Sequence, residues 1–266
     1  MDHASVLAAF DEQVRRSTRP DGTGAVYQAD ERVVRRIATD GAGGSGVFWS
    51  ALDARTADDV IAAQVTLFAA RGEEFEWKLY SYDQPADLAA RLRAAGFVPE
   101  QPESLMIGEL SQVLRVLGDA ELPPGVRFER ISEPSAVELL VGVHDAVFGG
   151  DHAELRESVR AQLAAAPELI ALVVVMAGDQ PVCSGRMEFV PGAQFAGLWG
   201  GGTVPQWRGR GIYRALVRYR AEIAAGRGYA YLTVDATEQS RPILERSGFE
   251  RVAVTTPYIW SPGQAG

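Results

Sequence analysis

The chain has little of what several classes of protein require. It contains a single cysteine, Cys183, in 266 residues, so neither an intrachain disulfide nor a zinc site built from several cysteines can form. No apolar stretch approaches the roughly 20 residues that a membrane-spanning helix needs. The first residues carry no basic segment of the kind that opens a signal peptide. We therefore expect a cytoplasmic protein with no metal ion and no membrane partner.

A surplus of basic charge is also missing. The chain has 26 Lys and Arg residues against 35 Asp and Glu, which gives a net charge of −9. Proteins that bind nucleic acid neutralise its phosphates with Lys and Arg, so this balance argues against a nucleic-acid partner. The acidic surplus is compatible with a cationic amine as a ligand, although most acidic charge is ordinary solvated surface. The length and the 47% hydrophobic content suit one or two domains with sizeable cores.

The most informative segment that is present covers residues 203–213, Thr-Val-Pro-Gln-Trp-Arg-Gly-Arg-Gly-Ile-Tyr. It ends an apolar run and opens a helical pattern whose apolar residues repeat every three or four positions from Ile212 to Ile223. Glycine lets the backbone approach a ligand closely, and a helix start presents free N–H groups. The segment therefore predicts a seat for a phosphate or pyrophosphate, although a glycine pair with this spacing is weak evidence by itself.

The patterns around this loop predict an alternating α/β unit. Downstream, we expect a strand over 229–234 with Asp235 at its carboxyl end, a short helix over 240–247 and a last strand over 251–256. Upstream, composition and periodicity predict three strands and two helices: strands 126–131, 169–176 and 182–190, and helices 136–148 and 153–166.

Two stretches in this order of elements resemble the GCN5-related N-acetyltransferases (GNAT). They are residues 204–212, Val-Pro-Gln-Trp-Arg-Gly-Arg-Gly-Ile, and residues 240–249, Ser-Arg-Pro-Ile-Leu-Glu-Arg-Ser-Gly-Phe, and the resemblance covers roughly residues 124–260. It implies an α/β (α+β) fold with a mixed, mostly antiparallel sheet flanked by helices. It also implies direct transfer of an acetyl group from acetyl-CoA to a primary amine of a small molecule or peptide. A monomer or homodimer is expected.

The resemblance assigns a set of residues to acetyl-CoA. In the family, the first stretch cradles the pyrophosphate, a main-chain N–H of the preceding strand contacts the thioester carbonyl, and the second stretch flanks the pantetheine arm. The residues that this assigns are Gly202, Thr203, Val204, Gln206, Arg208, Gly209, Arg210, Gly211, Ile212, Tyr213, Thr237 and Ser240. For Thr237 and Ser240, helix capping is an equally good explanation.

The three consecutive glycines before the loop, Gly200 to Gly202, predict a β-bulge. Such a bulge would let the pantetheine arm pair with the main chain like an added strand. The alternative is that the glycines only relieve crowding against a large neighbour such as Trp199.

Acetyl transfer to an amine requires a base, and the leaving thiolate requires a proton. Among acidic residues, Glu188 on the strand next to the predicted bulge and Asp235 are candidate bases. His144 and His152, each adjoining an aspartate, are alternatives. The tyrosine that many family members use as the acid is replaced by Leu244, which leaves solvent or another tyrosine. The tyrosine candidates are Tyr258 in the last strand region and Tyr213, which we expect to pack near the phosphates.

The N-terminal half repeats part of this pattern. With an offset of 152 residues, Gly96-Phe97 matches Gly248-Phe249 and Asp83 matches Asp235. The loop equivalent to the phosphate seat has no glycine, and its carboxylates Asp58 and Asp59 suit helix capping and dipole compensation. We therefore predict two domains, a degenerate GNAT-like copy over 1–122 and a catalytic copy over 123–266, joined near 118–125. The first copy looks shortened, without a clear first strand and helix pair, and we expect it to support the second and to wall the acceptor site.

Two other functions fit the same residues. One is a mycothiol synthase-like acetyltransferase, which also pairs a weak half with an active half. The other is a non-catalytic acyl-CoA sensor, which the leucine at position 244 favours.

Overall fold

The computed structural model describes residues 1–39 and 43–263. In the N-terminal half, a π-helical turn over Asp11–Arg15 continues the first helix. The helices and strands of this half are α1 (His3–Phe10), β1 (Val26–Ala29), β2 (Val33–Ile37), β3 (Ser45–Ser50), α2 (Ala57–Arg71), β4 (Phe75–Tyr80), α3 (Leu88–Ala94), β5 (Val98–Pro99), β6 (Glu103–Glu109) and α4 (Leu110–Leu117).

The C-terminal half starts with a strand and two helices and then forms a hairpin. Short 3₁₀ turns precede α5, β8 and the loop before α7. The elements are β7 (Val126–Ile131), α5 (Val137–Phe148), α6 (Ala153–Ala165), β8 (Ile170–Ala177), β9 (Gln180–Phe189), β10 (Phe195–Thr203), α7 (Ile212–Gly226), β11 (Tyr231–Ala236), α8 (Arg241–Glu245) and β12 (Glu250–Trp260). Across residues 1–39 and 43–263, every helix is too short or too polar to span a bilayer.

The two halves share one sheet because they exchange their last strands. The strand order is β1-β2-β3-β4-β12-β6-β11-β10-β9-β8-β7, with β5 paired to β12. Strand β6 of the N-terminal half pairs antiparallel with β11, from Ser104 opposite Ala236 to Glu109 opposite Tyr231. Strand β12 of the C-terminal half pairs antiparallel with β4. The predicted division near residue 122 therefore separates two sequence halves whose strands interleave in the sheet.

Side-chain alternation along the strands places different helices on the two faces of this sheet. On one face, α4, α7 and α8 cover a core that includes Val113, Val217 and Leu244. On the same face, α2 and α3 cover the core of the N-terminal half. On the opposite face lie α5 and α6, with α1 packed over Leu105 and Phe195. This opposite face carries the cavity described below.

The fold agrees with the predicted class, and the internal repeat has a conformational basis. Gly96 and Gly248 both adopt left-handed φ angles, of 91° and 90°. Leu92 and Leu244, four residues before them, are both fully buried. Where the phosphate loop would lie in the first copy, Asp53 accepts a hydrogen bond from the Thr56 backbone N–H at 2.9 Å before α2 begins. This hydrogen bond closes a turn before the helix. The capping predicted for Asp58 and Asp59 is not observed, because the N-cap residue Thr56 makes no side-chain capping hydrogen bond among the described residues; both aspartates lie in the first turn of α2, which suits dipole compensation.

Several elements of the N-terminal half differ from expectation. The half is not as short as its sequence indicates, because it contains α1 and the β1–β2 hairpin, paired from Val26 opposite Ile37 to Ala29 opposite Val34. No sequence pattern predicted β6 and α4. Their apolar residues, such as Met106 and Val113, are buried against elements of the C-terminal half.

Candidate active site

Strands β10 and β11 diverge in the middle of the sheet. They run parallel and pair only at Phe195, Ala196 and Gly197, which lie opposite residues 231–233. Within the described residues, no register pair joins them beyond Gly197, although β10 stays paired to β9 as far as Thr203. The split leaves an opening between the two strands that points toward the loop before α7.

The three glycines of β10 form a bulge at this split. The register with β9 moves from Trp199 opposite Arg186 to Gly202 opposite Ser184, so β10 contains one extra residue. Gly200 has a left-handed φ of 55°, which an L side chain rarely adopts. The predicted bulge is therefore confirmed.

Crowding also constrains these glycines, though not against the neighbour that the sequence suggested. A Cβ atom on Gly202 would lie 2.6 Å from Val147 Cγ1, and one on Gly201 would lie 3.1 Å from the side chains of Tyr213 and Arg220. Trp199 instead packs against Gly197, where a Cβ would lie 2.8 Å from its Nε1. The two explanations of the glycines thus apply together.

The loop before α7 presents free main-chain donors to an open surface. Gly209 and Gly211 have φ angles of 76° and 80°, and a Cβ on either would meet no atom within 4 Å. Among the described residues, the first main-chain hydrogen bond donated after this loop runs from Ala215 N to Gly211 O, at 3.0 Å. The N–H groups of residues 209–214 therefore have no main-chain acceptor and surround the start of a 15-residue helix.

The side chains around the loop hold its shape or face outward. Arg208 Nε donates to the carbonyl of Thr203 at 3.0 Å, which closes the loop onto the end of β10. The Arg210 guanidinium lies 4.5 Å from the centre of the Trp207 ring, and Gln206 is exposed. Two of the predicted ligand residues, Val204 and Ile212, are buried and anchor the loop in the core.

The Tyr213 side chain points into the interior between α7 and β10, not toward the surface of the loop. Its ring lies beside the bulge, where it interacts with the guanidinium of Arg220. Burial raises the pKa of the Tyr213 hydroxyl, against the opposing charge of Arg220. Burial also lowers the pKa of Arg220, whose Nε has no hydrogen-bond partner in the described part of the chain. The Tyr213 and Arg220 side chains thus pack between α7 and the bulge.

Residues at the start of α8 bond mainly to one another. Ser240 Oγ donates to the carbonyl of Thr237 at 3.2 Å, and Ser240 N donates to Thr237 Oγ1 at 3.4 Å. These contacts close a local turn before α8, but the capping predicted for Ser240 is not observed, because the side chain of this N-cap residue makes no capping hydrogen bond within the described part of the chain. Leu244 is fully buried in the core beneath α7, so this position supplies no group that can donate a proton.

A cavity of about 550 Å³ lies on the face opposite α7 and opens at the split. Both strands of the split line it, through Gly197 and Trp199 of β10 and Asp235 of β11. The N-terminal half supplies much of the remaining wall, with Phe10, Phe48, Glu76, Lys78 and Tyr80. A cavity of this size accommodates a small organic molecule.

Asp235 makes its ion pair with the other half of the chain. Its Oδ2 accepts a short hydrogen bond from Lys78 Nζ, and the side chains of Asp235 and Lys78 are only 10% and 11% exposed. Asp235 Oδ1 is buried without a hydrogen-bond partner in the described part of the chain. Burial acts to lower the pKa of Lys78, but the charges of Asp235, Tyr80 and Glu76 together outweigh burial, and the pKa is raised.

Further carboxylates lie around this pair. Burial, followed by the charge of Asp235, raises the pKa of Glu103 to about 6. Burial also raises the pKa of Glu76. The predicted candidate Glu188 lines the cavity and accepts a hydrogen bond from Arg186 Nε at 3.2 Å. Lys78 thus interacts with carboxylates from both halves, namely Glu76, Glu103 and Asp235.

Sequence reasoning missed Lys78, Glu76 and Glu103. The alternation of Glu76, Lys78 and Tyr80 along β4 places three polar groups on one face of the sheet, which was the available signal. The strand exchange that brings this face to Asp235 leaves no local trace in the sequence.

Tyr258 lies away from the cleft. It is 2% exposed in the core under α2 and α3, and the Arg93 guanidinium lies 5.3 Å from the centre of its ring. Its neighbours in β12 alternate between faces, so Tyr258 points away from the face that carries the cavity. It is not part of the site proposed below.

The two histidines singled out in the sequence meet edge to face, and His144 lies beside the bulge. His152 Nδ1 and Asp145 Oδ1 are 2.7 Å apart, and the ring centres of His144 and His152 are 4.5 Å apart. A Cβ on Gly200 would lie 3.3 Å from His144 Nδ1. Burial, followed by the charges of His152 and Arg186, lowers the pKa of His144 to about 4.

Residues 141–249 match the model of the acetyltransferase (GNAT) family. Comparison with curated proteins found no match. Among solved structures, a GCN5-related N-acetyltransferase from Kribbella flavida is 16% identical, with a TM-score of 0.68 over 98% of this chain and 96% of that one. A tandem GNAT protein from the clavulanic acid biosynthesis pathway is 12% identical, with a TM-score of 0.63 over 98% and 95% of the two chains.

A third structure is described as a glucosamine N-acetyltransferase region of a fungal multi-domain GH3 β-N-acetylglucosaminidase. It is 15% identical, with a TM-score of 0.60 over 97% of this chain and 37% of that one. The segment matched by the family model belongs to the GNAT superfamily, and the whole chain has the fold of the tandem GNAT proteins. The resemblance inferred from the sequence is confirmed.

Proposed function

We propose that the protein is an acetyl-CoA-dependent N-acetyltransferase that acts on a primary amine of a small molecule or peptide. One observation carries this proposal: the split between β10 and β11 meets a loop of free N–H groups at its end and a cavity of about 550 Å³ on the other face of the sheet. A carrier held by the loop and an acceptor held in the cavity would meet at the split.

The loop suits the pyrophosphate of acetyl-CoA. Its unpaired N–H groups lie at a helix start, where the partial positive charge favours an anion. The open space around Gly209 and Gly211 gives the backbone close access to a ligand. Arg208 and Arg210 border the loop and would add charge-assisted hydrogen bonds. We infer one acetyl-CoA per chain, because acidic residues replace this arrangement in the N-terminal half.

The bulge of β10 is the proposed contact for the thioester. We expected a main-chain N–H of residues 202–204 to serve the carbonyl, but Val204 N already donates to Val182 O at 3.0 Å. The extra residue at Gly200 and Gly201 leaves main-chain groups outside the regular ladder with β9. These groups are better placed to stabilise the charge that develops on the carbonyl oxygen.

The cavity suits the acceptor amine. In direct transfer, a neutral amine attacks the carbonyl carbon and the carbon–sulfur bond breaks, with the released proton passing to a base or to water. Asp235 lies at the split, and Glu188 lies on the neighbouring wall. The leaving thiolate would take its proton from water, because Leu244 has none to give.

The residue at position 244 also supports the alternative function, an acyl-CoA sensor. A buried leucine in place of an acid is compatible with a protein that binds acyl-CoA without turning it over. No feature of the described residues favours a mycothiol synthase-like acceptor over other amines.

The test measures binding and turnover separately. Calorimetry with acetyl-CoA is expected to give one site per chain, and Gly209→Val and Gly211→Val are expected to abolish binding. Gly178→Val is the matched control, because Gly178 also has a positive φ and open space but lies in the turn between β8 and β9, outside the loop. Unchanged affinity in the two loop variants would contradict the pyrophosphate assignment.

Turnover is measured as thiol release from acetyl-CoA with a panel of primary amines. The panel includes glucosamine, since one similar structure is described as a glucosamine N-acetyltransferase region. Tight binding of acetyl-CoA without turnover of any amine would favour the sensor.

A further inference from the structure

We propose that Lys78, a residue of the N-terminal half, is a positioning residue for catalysis in the C-terminal half: it holds Asp235 Oδ2 so that Oδ1 receives an N–H of the acceptor amine. This inference rests on the proposed function. It gives the degenerate half a direct part in the reaction, beyond support of the fold.

The exchanged strands bring the two residues together. Lys78 and Asp235 are 157 positions apart in sequence and lie on β4 and β11, which are separated in the sheet by β12 and β6. Both side chains line the cavity at the split. Neither half alone contains the pair, so the cavity acquires it only when the strands interleave.

The burial of this pair is poorly explained by stability. Removing two charges from water costs several kcal/mol per ion, and apolar residues of similar volume often stabilise as well or better. A buried ion pair in a cleft is therefore a candidate for function. The pair is in contact with the acceptor cavity, not with the helices that cover the other face.

The free oxygen of Asp235 points to a ligand. A buried acceptor without a hydrogen-bond partner is unfavourable, and such groups in native proteins call for an explanation. Asp235 Oδ1 is such an acceptor, next to a cavity that opens at the split. An amine N–H is the donor that the proposed reaction brings to this place.

Lys78 is needed because the surroundings of Asp235 are anionic. The charged and titratable groups that interact with the pair are Glu76 and Tyr80 of β4 and Glu103 of β6. The Trp199 ring is the nearest aromatic wall, with its centre 5.7 Å from Lys78 Nζ. Without the ammonium, Asp235 would lose the contact that fixes its orientation and would face Glu76 and Glu103 with no compensating cation from Lys78.

The experiment compares four variants in the full chain: Lys78→Met, Lys78→Arg, Asp235→Asn and the double variant Lys78→Met/Asp235→Asn. The acceptor is the amine of the panel that the wild type turns over fastest. Acetyl-CoA affinity is measured for each variant and is expected to stay near wild type. The thermal midpoint is also measured and is expected to fall in Lys78→Met, which leaves Asp235 buried without its cation, so kinetics are compared at a temperature where every variant is folded.

We expect Lys78→Met to lower kcat/KM by about 100-fold, the effect of a misplaced reacting group. The loss is expected in kcat and not in the KM for acetyl-CoA, because the variant disturbs the reacting amine and leaves the carrier loop intact. Lys78→Arg, which keeps the charge, is expected to restore part of the rate.

The double variant separates positioning from a structural role. A structural pair predicts recovery, because removal of both partners leaves no buried unpaired charge. The proposal predicts that the double variant stays as slow as Asp235→Asn, since both changes act on the same contact. If Lys78→Met or the double variant keeps the wild-type kcat/KM, this inference is wrong, but the proposed function is unaffected. Failure of the wild type to turn over any amine overturns the proposed function and this inference with it.

Discussion

Thr203 Oγ1 donates a hydrogen bond to Cys183 Sγ across 3.1 Å, and both residues are buried. Burial raises the pKa of the Cys183 thiol to about 11, against a smaller opposing effect of this hydrogen bond. At pH 8, about one molecule in a thousand would carry the thiolate, which is the nucleophilic form. The chain's single cysteine is therefore a packing residue between β9 and β10.

Cys183→Ser is expected to keep kcat/KM within about threefold of wild type, because acyl transfer does not pass through this thiol. Intact-mass spectra after incubation with acetyl-CoA are expected to show no acetylated protein, and iodoacetamide is expected to modify Cys183 only after denaturation. An acetyl group trapped on Cys183 during turnover would replace direct transfer with an acyl-enzyme.

Gly202→Ala is expected to destabilise the protein by about 1–3 kcal/mol, as overpacking of a filled core does. The added Cβ would lie 2.6 Å from Val147 Cγ1 on α5, and both the strand and the helix are held by their own cores. The free energy of unfolding in urea measures the effect.

Gly226→Ala is the control for that variant. Gly226 ends α7, and a Cβ there meets no atom within 4 Å, so alanine is expected to leave stability unchanged or to raise it by up to about 1 kcal/mol. Equal losses in the two variants would mean that the close approach of α5 to the bulge does not constrain Gly202.

Local patterns in the C-terminal half were sufficient to predict most of its elements. Strand β7 has the predicted bounds, and α7 begins at Ile212 as predicted, where Gly211 adopts a left-handed conformation at the N-cap. These features depend on apolar periodicity and on glycine backbone preferences, both of which are visible within about ten residues of sequence.

What the sequence did not predict depends on pairing between distant segments. Lys78 meets Asp235 because the exchanged strands β12 and β6 join the two halves into one sheet. Tyr258 was a candidate from its place near the end of the chain, but a one-residue change in position along a strand moves a side chain to the other face. Neither the contact of Lys78 with Asp235 nor the orientation of Tyr258 could be predicted without knowing the register of the whole sheet.

The isolated C-terminal half, residues 123–266, is expected not to fold cooperatively. It would lose four buried apolar side chains from its main core, Met106, Leu110, Val113 and Leu117. At about 1.5–3 kcal/mol for each, the loss is about 6–12 kcal/mol, which is comparable to the whole stability of a typical domain, about 5–15 kcal/mol. It would also leave β11 with an unpaired edge.

Coexpression of 1–122 with 123–266 tests this prediction. The two fragments are expected to copurify and to bind acetyl-CoA together, because the cut falls between α4 and β7, outside every strand pair. Circular dichroism and thermal unfolding check each fragment alone. A cooperative unfolding transition in 123–266 by itself would show that the exchanged strand is dispensable.

His144 is expected to make the fold less stable as the pH falls from about 6.5 to about 4. Its pKa is lowered to about 4 in the folded protein, first by burial and then by the charges of His152 and Arg186, against the opposing charge of Asp145. Between these pH values the unfolded chain binds a proton that the folded chain does not, so acid favours unfolding.

Since His144 is about half-buried, solvent screening reduces the effect to roughly 1–2 kcal/mol. His144→Gln keeps a polar side chain at this position but cannot titrate there, so it isolates the contribution of the imidazole from that of the carboxylates, which titrate in both proteins. The measurement is the free energy of unfolding in urea at pH 7.5 and at pH 4.5. The wild type is expected to lose about 1 kcal/mol more than the variant between these pH values. Equal losses of unfolding free energy in the wild type and the variant would mean that His144 takes up a proton in the folded protein as readily as in the unfolded chain. Burial beside the bulge would then not disfavour the charged imidazole.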